Sequence, residues 1–322
     1  MTGRTVARFV AIGLAIHLVL SVAFAATIGR EHDVRRMDAK WLLGPRPVDV
    51  MIAGDSHARF SVEAPILGLA INVAVPGEHY QKSTYRVPWL IDHGTRTVGT
   101  VVLPFDAVSF ASFKDDSFEP ELVWGRYLDW WELGRQKGKY FEFAGRWAKS
   151  RIAPYVGEFP TVLQYLTTTR HFRDPTDPQG GLNLTFFENG TDAARRHLEG
   201  ADVWDPDMEW AFRRLVSELV ERRIRVVLVR FPVTRAYAAE SRRLGADPAL
   251  RDQLLTELAK PGVVDHLDFE SMFFDSPEMF GDGDHLNPIG KRRFSLTFAE
   301  ALVRLGVIAQ VHAPRQGQGG EP

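Results

Sequence analysis

Short apolar runs alternate with amphipathic stretches through most of this chain. Val48 to Ala53, Leu69 to Val75, Val98 to Leu103, Arg223 to Phe231 and Val263 to Phe269 each read as a short buried strand. Between them the apolar residues recur at helical spacing. Met208, Phe212, Leu215, Val216 and Leu219 make one face, and Phe294, Phe298, Ala301, Leu302 and Leu305 make another. Asp205-Pro206, Asp247-Pro248 and Asn287-Pro288 each place a capping side chain before a proline at the first helical position. Glu78 to His93 reads as a helix closed by Gly94, with Pro88 a kink. Continuous apolar strands separated by such helices predict a parallel sheet covered on both faces.

Two regions break the alternation. Ala7 to Gly29 is apolar for about the twenty residues that cross a bilayer. Arg4 and Arg8 stand at its N-terminal end, which orients the N-terminus to the cytoplasm and the remainder outside. An uncleaved anchor over residues 1–30 is expected. Ala23-Phe24-Ala25 supplies the competing reading, a cleaved signal peptide and a secreted product. His17 is a polar residue within the span. Residues 31–47 read as a polar juxtamembrane connector, and 48–310 as the α/β domain. Within it, about 109–203 reads as a mainly helical insertion, because the third and fourth strands lie too far apart for one crossover. The insertion carries Trp124, Tyr127, Trp130, Trp131, Tyr140, Phe141, Phe143 and Trp147. The first expectation is a subdomain whose aromatics pack on the main domain. The competing one is a platform over a site, stacking on a sugar or lying near the membrane. Asn183 and Asn189 begin glycosylation sequons, a pattern that arises easily by chance. Residues 311–322 read as a disordered tail.

Composition narrows the chemistry. With 39 Lys+Arg against 41 Asp+Glu, the net charge of −2 offers no basic field for nucleic acid. There is no cysteine, which excludes disulfides, thiolate metal sites and cysteine nucleophiles.

In open parallel sheets ligands bind beyond the carboxyl ends of the strands. Gly54-Asp55-Ser56-His57 follows the first strand. Asp282-Gly283-Asp284-His285 precedes the last helix. A serine at a sharp strand-to-helix turn needs a base within reach, and His285 is the candidate, with Asp282 to orient it. The backbone N–H groups of Ser56 and Gly77 are the expected oxyanion donors. His57, Asp106 and Arg235 are the candidate substrate contacts. No metal or other cofactor is expected in this reading.

These two blocks resemble those of SGNH/GDSL-type hydrolases, from about Val48 to Leu305 outside the insertion. The resemblance implies a flavodoxin-like three-layer α/β/α sandwich with a parallel five-stranded sheet. It implies Ser56 as nucleophile, His285 as base, Asp282 as its orienter and Gly77 as an oxyanion donor. The chain departs from the pattern after the third strand, where the family's Gly-x-Asn-Asp is replaced by Leu103 to Phe110 without an asparagine. Asn72 is a substitute only if it lies near the mouth of the site. The layout is similar to membrane-anchored O-acyltransferase accessory proteins of alginate or cell-wall acylation. That similarity implies an acylated carbohydrate or other acyl ester as substrate, and a membrane-bound acyltransferase as partner. Two other readings remain. One is a non-catalytic glycan-binding or assembly subunit. The other is a metal-dependent phosphoesterase using Asp55, His57, Asp282, Asp284 and His285.

Overall fold

A computed structural model describes residues 2–43, 47–94, 97–114, 118, 121–167 and 189–312. In chain order the helices are α1 (Gly3–Ala26), α2 (Ile28–Glu31), α3 (Asp33–Leu42), α4 (Ser56–Ser61), α5 (Tyr80–His93), α6 (Glu121–Trp124), α7 (Trp130–Gln136), α8 (Tyr140–Ile152), α9 (Phe159–Thr167), α10 (Gly190–Leu198), α11 (Pro206–Glu221), α12 (Arg235–Arg243), α13 (Pro248–Leu258) and α14 (Pro288–Arg304). The strands are β1 (Val48–Ile52), β2 (Ala70–Asn72), β3 (Val98–Pro104), β4 (Arg225–Arg230) and β5 (Val264–Asp268). The chain divides into two compact units, Met1–Ala39 with Ser117–Asp177, and Lys40–Asp116 with Pro178–Pro322.

The second unit is a three-layer α/β sandwich. Its strands are all parallel, in the order β2-β1-β3-β4-β5. Successive side chains on a strand face opposite ways, and the core divides accordingly. Met51, Val101, Leu103, Val226 and Leu228 pack with α5 and α11 through Val87, Leu90, Phe212, Leu215 and Leu219. Val50, Ile52, Val102, Val227 and Val229 pack with α4 and α14 through Ala58, Phe294, Phe298 and Leu302. The chain leaves β1 toward β2 and later returns to β3 on β1's other side. The carboxyl ends of β1 and β3 therefore form the topological switch point, where such sheets leave a crevice.

The three proline-led helices start as expected. Asp205 accepts from the Asp207 N–H, Asp247 from the Ala249 N–H, and Asn287 from the N–H groups of Ile289 and Gly290. Pro88 lies within α5, which continues through it to His93. An ion pair fixes the start of that helix. Glu78 accepts from Arg86 at 2.5 Å and from Ser83 Oγ at 2.9 Å, and Arg86 also donates to the Val73 carbonyl. Both charged side chains are fully buried.

Two expectations change. The connector at 31–47 carries helix α3, whose Val34, Met37 and Trp41 are buried rather than solvated. The indole of Trp41 donates to the Leu90 carbonyl at 2.6 Å. The stretch 109–203 is not one insertion. Ser117–Asp177 joins the N-terminal helices, whereas α10 packs on α12 in the sheet unit. Phe118, Trp130 and Phe143 stack edge-on or tilted among themselves, and Arg146 lies over the rings of Phe118 and Phe143.

In the helical unit α1 is long and apolar enough to cross a membrane. Its last turn meets the rest of the unit, where Phe24 and Ile28 pack with Leu122, Tyr155 and Val162. Arg35 donates to the Leu122 carbonyl, and the Tyr127 hydroxyl donates to Asp38. Lys149 bridges Glu121 and Glu158 at 2.6 and 3.1 Å. Asn183 and the tail beyond 312 lie outside the described residues.

Candidate active site

The turn after β1 is built for a close approach. Gly54 has φ +117°, and a Cβ there would lie 2.5 Å from Pro104, so glycine alone fits. Asp55 then caps α4, its carboxylate accepting from the His57 N–H at 3.0 Å. Ser56 is consequently the first residue of α4 and half-buried, and its hydroxyl has no hydrogen-bond partner among the described residues. The N–H of a first helical residue has no partner within the helix and is open to a ligand.

The complementary turn comes before α14. Asp282 accepts from the N–H groups of Asp284 and His285, at 3.0 and 2.8 Å. The same carboxylate takes the His285 ring at Nδ1, at 2.9 and 3.1 Å. With Nδ1–H donated to a carboxylate, the neutral ring leaves its lone pair on Nε2. That nitrogen is buried and makes no hydrogen bond. The ring lies edge-on to Phe60 and His57, with centroids at 5.3 and 5.4 Å. Both of those residues belong to α4, the helix that Ser56 begins. The turn is held in place through Gly283, whose carbonyl accepts from Thr234 Oγ1 at 2.6 Å and whose Cα is pressed against Asn189, Gly190 and Ala193. Asn189 itself caps α10, accepting from the Asp192 N–H.

The oxyanion candidates divide. Gly77 lies in the Pro76-Gly77 turn with φ +78° and open space where a Cβ would stand. The turn is tied to the residue that follows β1 and precedes Asp55, since Val75 N–H donates to the Gly54 carbonyl at 2.8 Å. Asn72 does not serve. Its amide donates to the carbonyls of Ala58 and Val62, and its oxygen accepts from the Ala74 N–H. Buried with both ends engaged, it braces α4 against β2.

Two of the three candidate substrate contacts, His57 and Asp106, are corrected. His57 is 2% exposed, held at Nδ1 by Asp106 and at Nε2 by Asp284, each at 3.1 Å. Asp106 is buried as well, and its second oxygen accepts from the Phe231 N–H at 2.8 Å. Arg235 projects to the surface, paired with Asp275 at 2.6 Å and set over Phe274. The His57 ring and the Asp106 carboxylate are thus engaged within the protein, whereas the Arg235 guanidinium is exposed.

A buried ionic chain, Asp106–His57–Asp284, links helix α4 to the turn before α14. Asp284 stands 3.5 Å from His285 Nδ1 and 3.8 Å from His197 Nδ1. Burial opposes a charge on His57, but the hydrogen bonds of Asp106 and Asp284, with Asp55 nearby, hold its pKa well above the ordinary value. Burial likewise opposes the Asp284 charge, and the surrounding His285, His57 and His197 outweigh it, so its carboxyl stays below the usual range. Asp106 moves upward, chiefly through burial. His197 and Tyr237, hydrogen-bonded at 2.9 Å, close this side. No spacing in the sequence marks the chain, because its members come from three distant segments. A small cavity of about 10 Å³ is lined, among others, by Gly54, Asp55, Glu78, Tyr80, Pro104 and Ser109.

His57, Asp284 and His285 bring one potential donor atom each within 4.8 Å of one another, a grouping among the described residues that could share a metal ion. The fold is a three-layer α/β sandwich, with Ser56 opening the helix after β1 and the Asp282–His285 pair in the turn before α14. Comparison with models of known protein families and with curated proteins returned no match.

Proposed function

We propose that this chain is a serine-dependent acyl-ester enzyme of the SGNH/GDSL type, an esterase or O-acyltransferase. One observation carries the reading. His285 is held at Nδ1 by Asp282, has a vacant Nε2, and packs on the helix that begins with Ser56. In this mechanism Ser56 Oγ attacks the acyl carbonyl carbon while His285 Nε2 takes the hydroxyl proton. Asp282 stabilises the resulting imidazolium. The backbone N–H groups of Ser56 and Gly77 face the oxyanion. His285 then protonates the leaving alcohol, and the acyl group on Ser56 passes to water or to a sugar hydroxyl. Asp106 occupies the region where the family carries its asparagine. A carboxylate engaged with His57 and Phe231 donates nothing to an oxyanion. One missing donor is worth roughly 3 kcal/mol of transition-state stabilisation, so a slow esterase or a transferase assisted by a partner is favoured.

The proposed substrate is an acylated envelope or secreted carbohydrate, and the proposed partner a membrane-bound acyltransferase. With Arg4 and Arg8 at its N-terminal end, α1 would anchor the chain with the sheet unit outside the cytoplasm. The test is labelling by a fluorophosphonate probe. Wild type should label at Ser56 and Ser56→Ala should not. A wild type that neither labels nor turns over an activated acetyl ester sinks the proposal.

A second reading rests on the convergence of His57, Asp284 and His285. A divalent ion held there would polarise a phosphoryl oxygen and activate water. Turnover of a phosphodiester abolished by chelator and restored by added zinc or manganese would select it. Ester turnover that persists in excess chelator removes it.

A further inference from the structure

The helical unit carries an apolar stripe that its own fold leaves uncovered. Helix α9 lays Val162 against Phe24 and Ile28, at the end of α1 and in α2. Beside that contact, Phe159, Leu163 and Leu166 remain 73%, 49% and 60% exposed. Their spacing of four and three residues places them on one stripe of the helix. Ile152 and Val156, in the segment leading to α9, are exposed too. Apolar residues scattered singly on a water-facing surface need no explanation, but a continuous stripe does.

An independent contact indicates what covers it. His17 Nδ1 in α1 is hydrogen-bonded to the Tyr155 hydroxyl at 2.8 Å. Helix α1 has 24 residues, so it is about 36 Å long, against a hydrocarbon layer of about 30 Å. His17 lies about 14 Å along the axis from Ala26, well inside that layer. A polar side chain at such depth requires a partner, and the segment just before α9 supplies it. Tyr155 is thereby carried to membrane depth, and α9 begins four residues later. Within the segment the Glu158 carboxylate is buried against Lys149, and Arg151 stands exposed at its start.

We propose that α9 and the segment from Ile152 to Glu158 are embedded in the bilayer that α1 crosses, with Phe159, Leu163 and Leu166 facing the acyl chains. The chain is then held by two elements, one spanning and one embedded from one side. The His17–Tyr155 hydrogen bond joins them inside the lipid.

The absence of cysteine makes the test direct. Single cysteines replace Phe159, Leu163 or Leu166 in the full-length chain, each carrying a nitroxide label. The protein is reconstituted in phosphatidylcholine–phosphatidylglycerol liposomes. Relaxation by oxygen, which concentrates in lipid, is compared with relaxation by a water-soluble nickel chelate. Leu14 in α1 and Leu250 in the sheet unit, both exposed, serve as references. The expected result is a shift at all three α9 sites to the oxygen-dominated behaviour of Leu14. Nickel-dominated relaxation like that of Leu250 at these sites overturns the proposal. Spin–spin broadening that disappears on dilution with unlabelled chain would assign the stripe to a second copy and also overturn it. A nickel-dominated Leu14 would overturn both the spanning helix and the embedded one. None of these readouts depends on Ser56 or on ester turnover.

Discussion

At the carboxyl edge of the sheet, His57, Asp106 and Asp284 are shut away from solvent with every charge matched to a neighbour. In the helical unit, Phe9, Leu14, Leu18, Phe159 and Leu166 are exposed. One region hides ions and the other displays hydrocarbon, within a single chain of average composition. Each arrangement is costly in the other's surroundings. Buried ions are retained only where geometry satisfies them, because a lone one costs several kcal/mol. Exposed apolar stripes are retained where the adjoining medium is itself apolar. The contrast sets a unit with a buried polar network against a unit that carries a helix long and apolar enough to cross a membrane.

The sharpest way to break the contrast is to ask whether the polar interior performs chemistry. Asp282→Asn should preserve the turn but favour the wrong His285 tautomer. The rate of Ser56 labelling should fall by about 10⁴, the magnitude found when a triad acid is so replaced. Unchanged labelling would reduce Asp282 to a turn former.

Next in size is the Glu78–Arg86 pair. Arg86→Ala leaves a carboxylate buried alone and should cost about 3–5 kcal/mol, read as a lowered urea midpoint. A loss below about 1 kcal/mol would mean that water reaches Glu78.

The His57 network should show in the pH dependence of stability. Its folded pKa is raised, so the folded state binds more protons than the unfolded one above about pH 6.5. Its stabilisation is complete below that pH and is lost as pH rises through the folded value, by up to about 1.4 kcal/mol per pH unit. Asp284 has the opposite sign. Its stabilisation is present above the usual carboxylate range and is lost only in acid. Thermal melts of His57→Gln should lose the alkaline slope. A slope that survives assigns it to another group.

The smallest effect expected is local. Asn287→Ala removes the cap of α14 and should cost about 1 kcal/mol. A much larger loss would show that the cap also steadies the Asp282–His285 turn.

Much of this was legible in the residues because the physics is local. The strands read as apolar runs since β1, β3 and β4 are covered on both faces and need no polar side. The helix starts read from Asp205, Asp247 and Asn287 because a cap and its N–H groups lie two or three residues apart. Ser56, Asp282 and His285 could be chosen because strand ends and a short acid–histidine turn are local features too. Asn72, His57 and Asp106 were misassigned for the opposite reason. Whether a polar side chain is free or engaged depends on partners that spacing does not reveal. His57 meets Asp106 at a separation of 49 residues and Asp284 at 227. The division of 109–203 between two units was illegible for the same cause, since amphipathic periodicity says that a face is buried, not against what.

By itself, then, the sequence determined the element types, the parallel sheet, the helix caps and a membrane-length apolar helix. Each follows from periodicity or from hydrogen bonds a few residues long. Only the tertiary structure decided that His57 is a buried ion rather than a contact for substrate. It alone showed that Asn72 is a brace and that Tyr155 answers His17. Those outcomes depend on which distant groups share a low-dielectric space, where an unpaired polar atom is costly and a matched one is held fast.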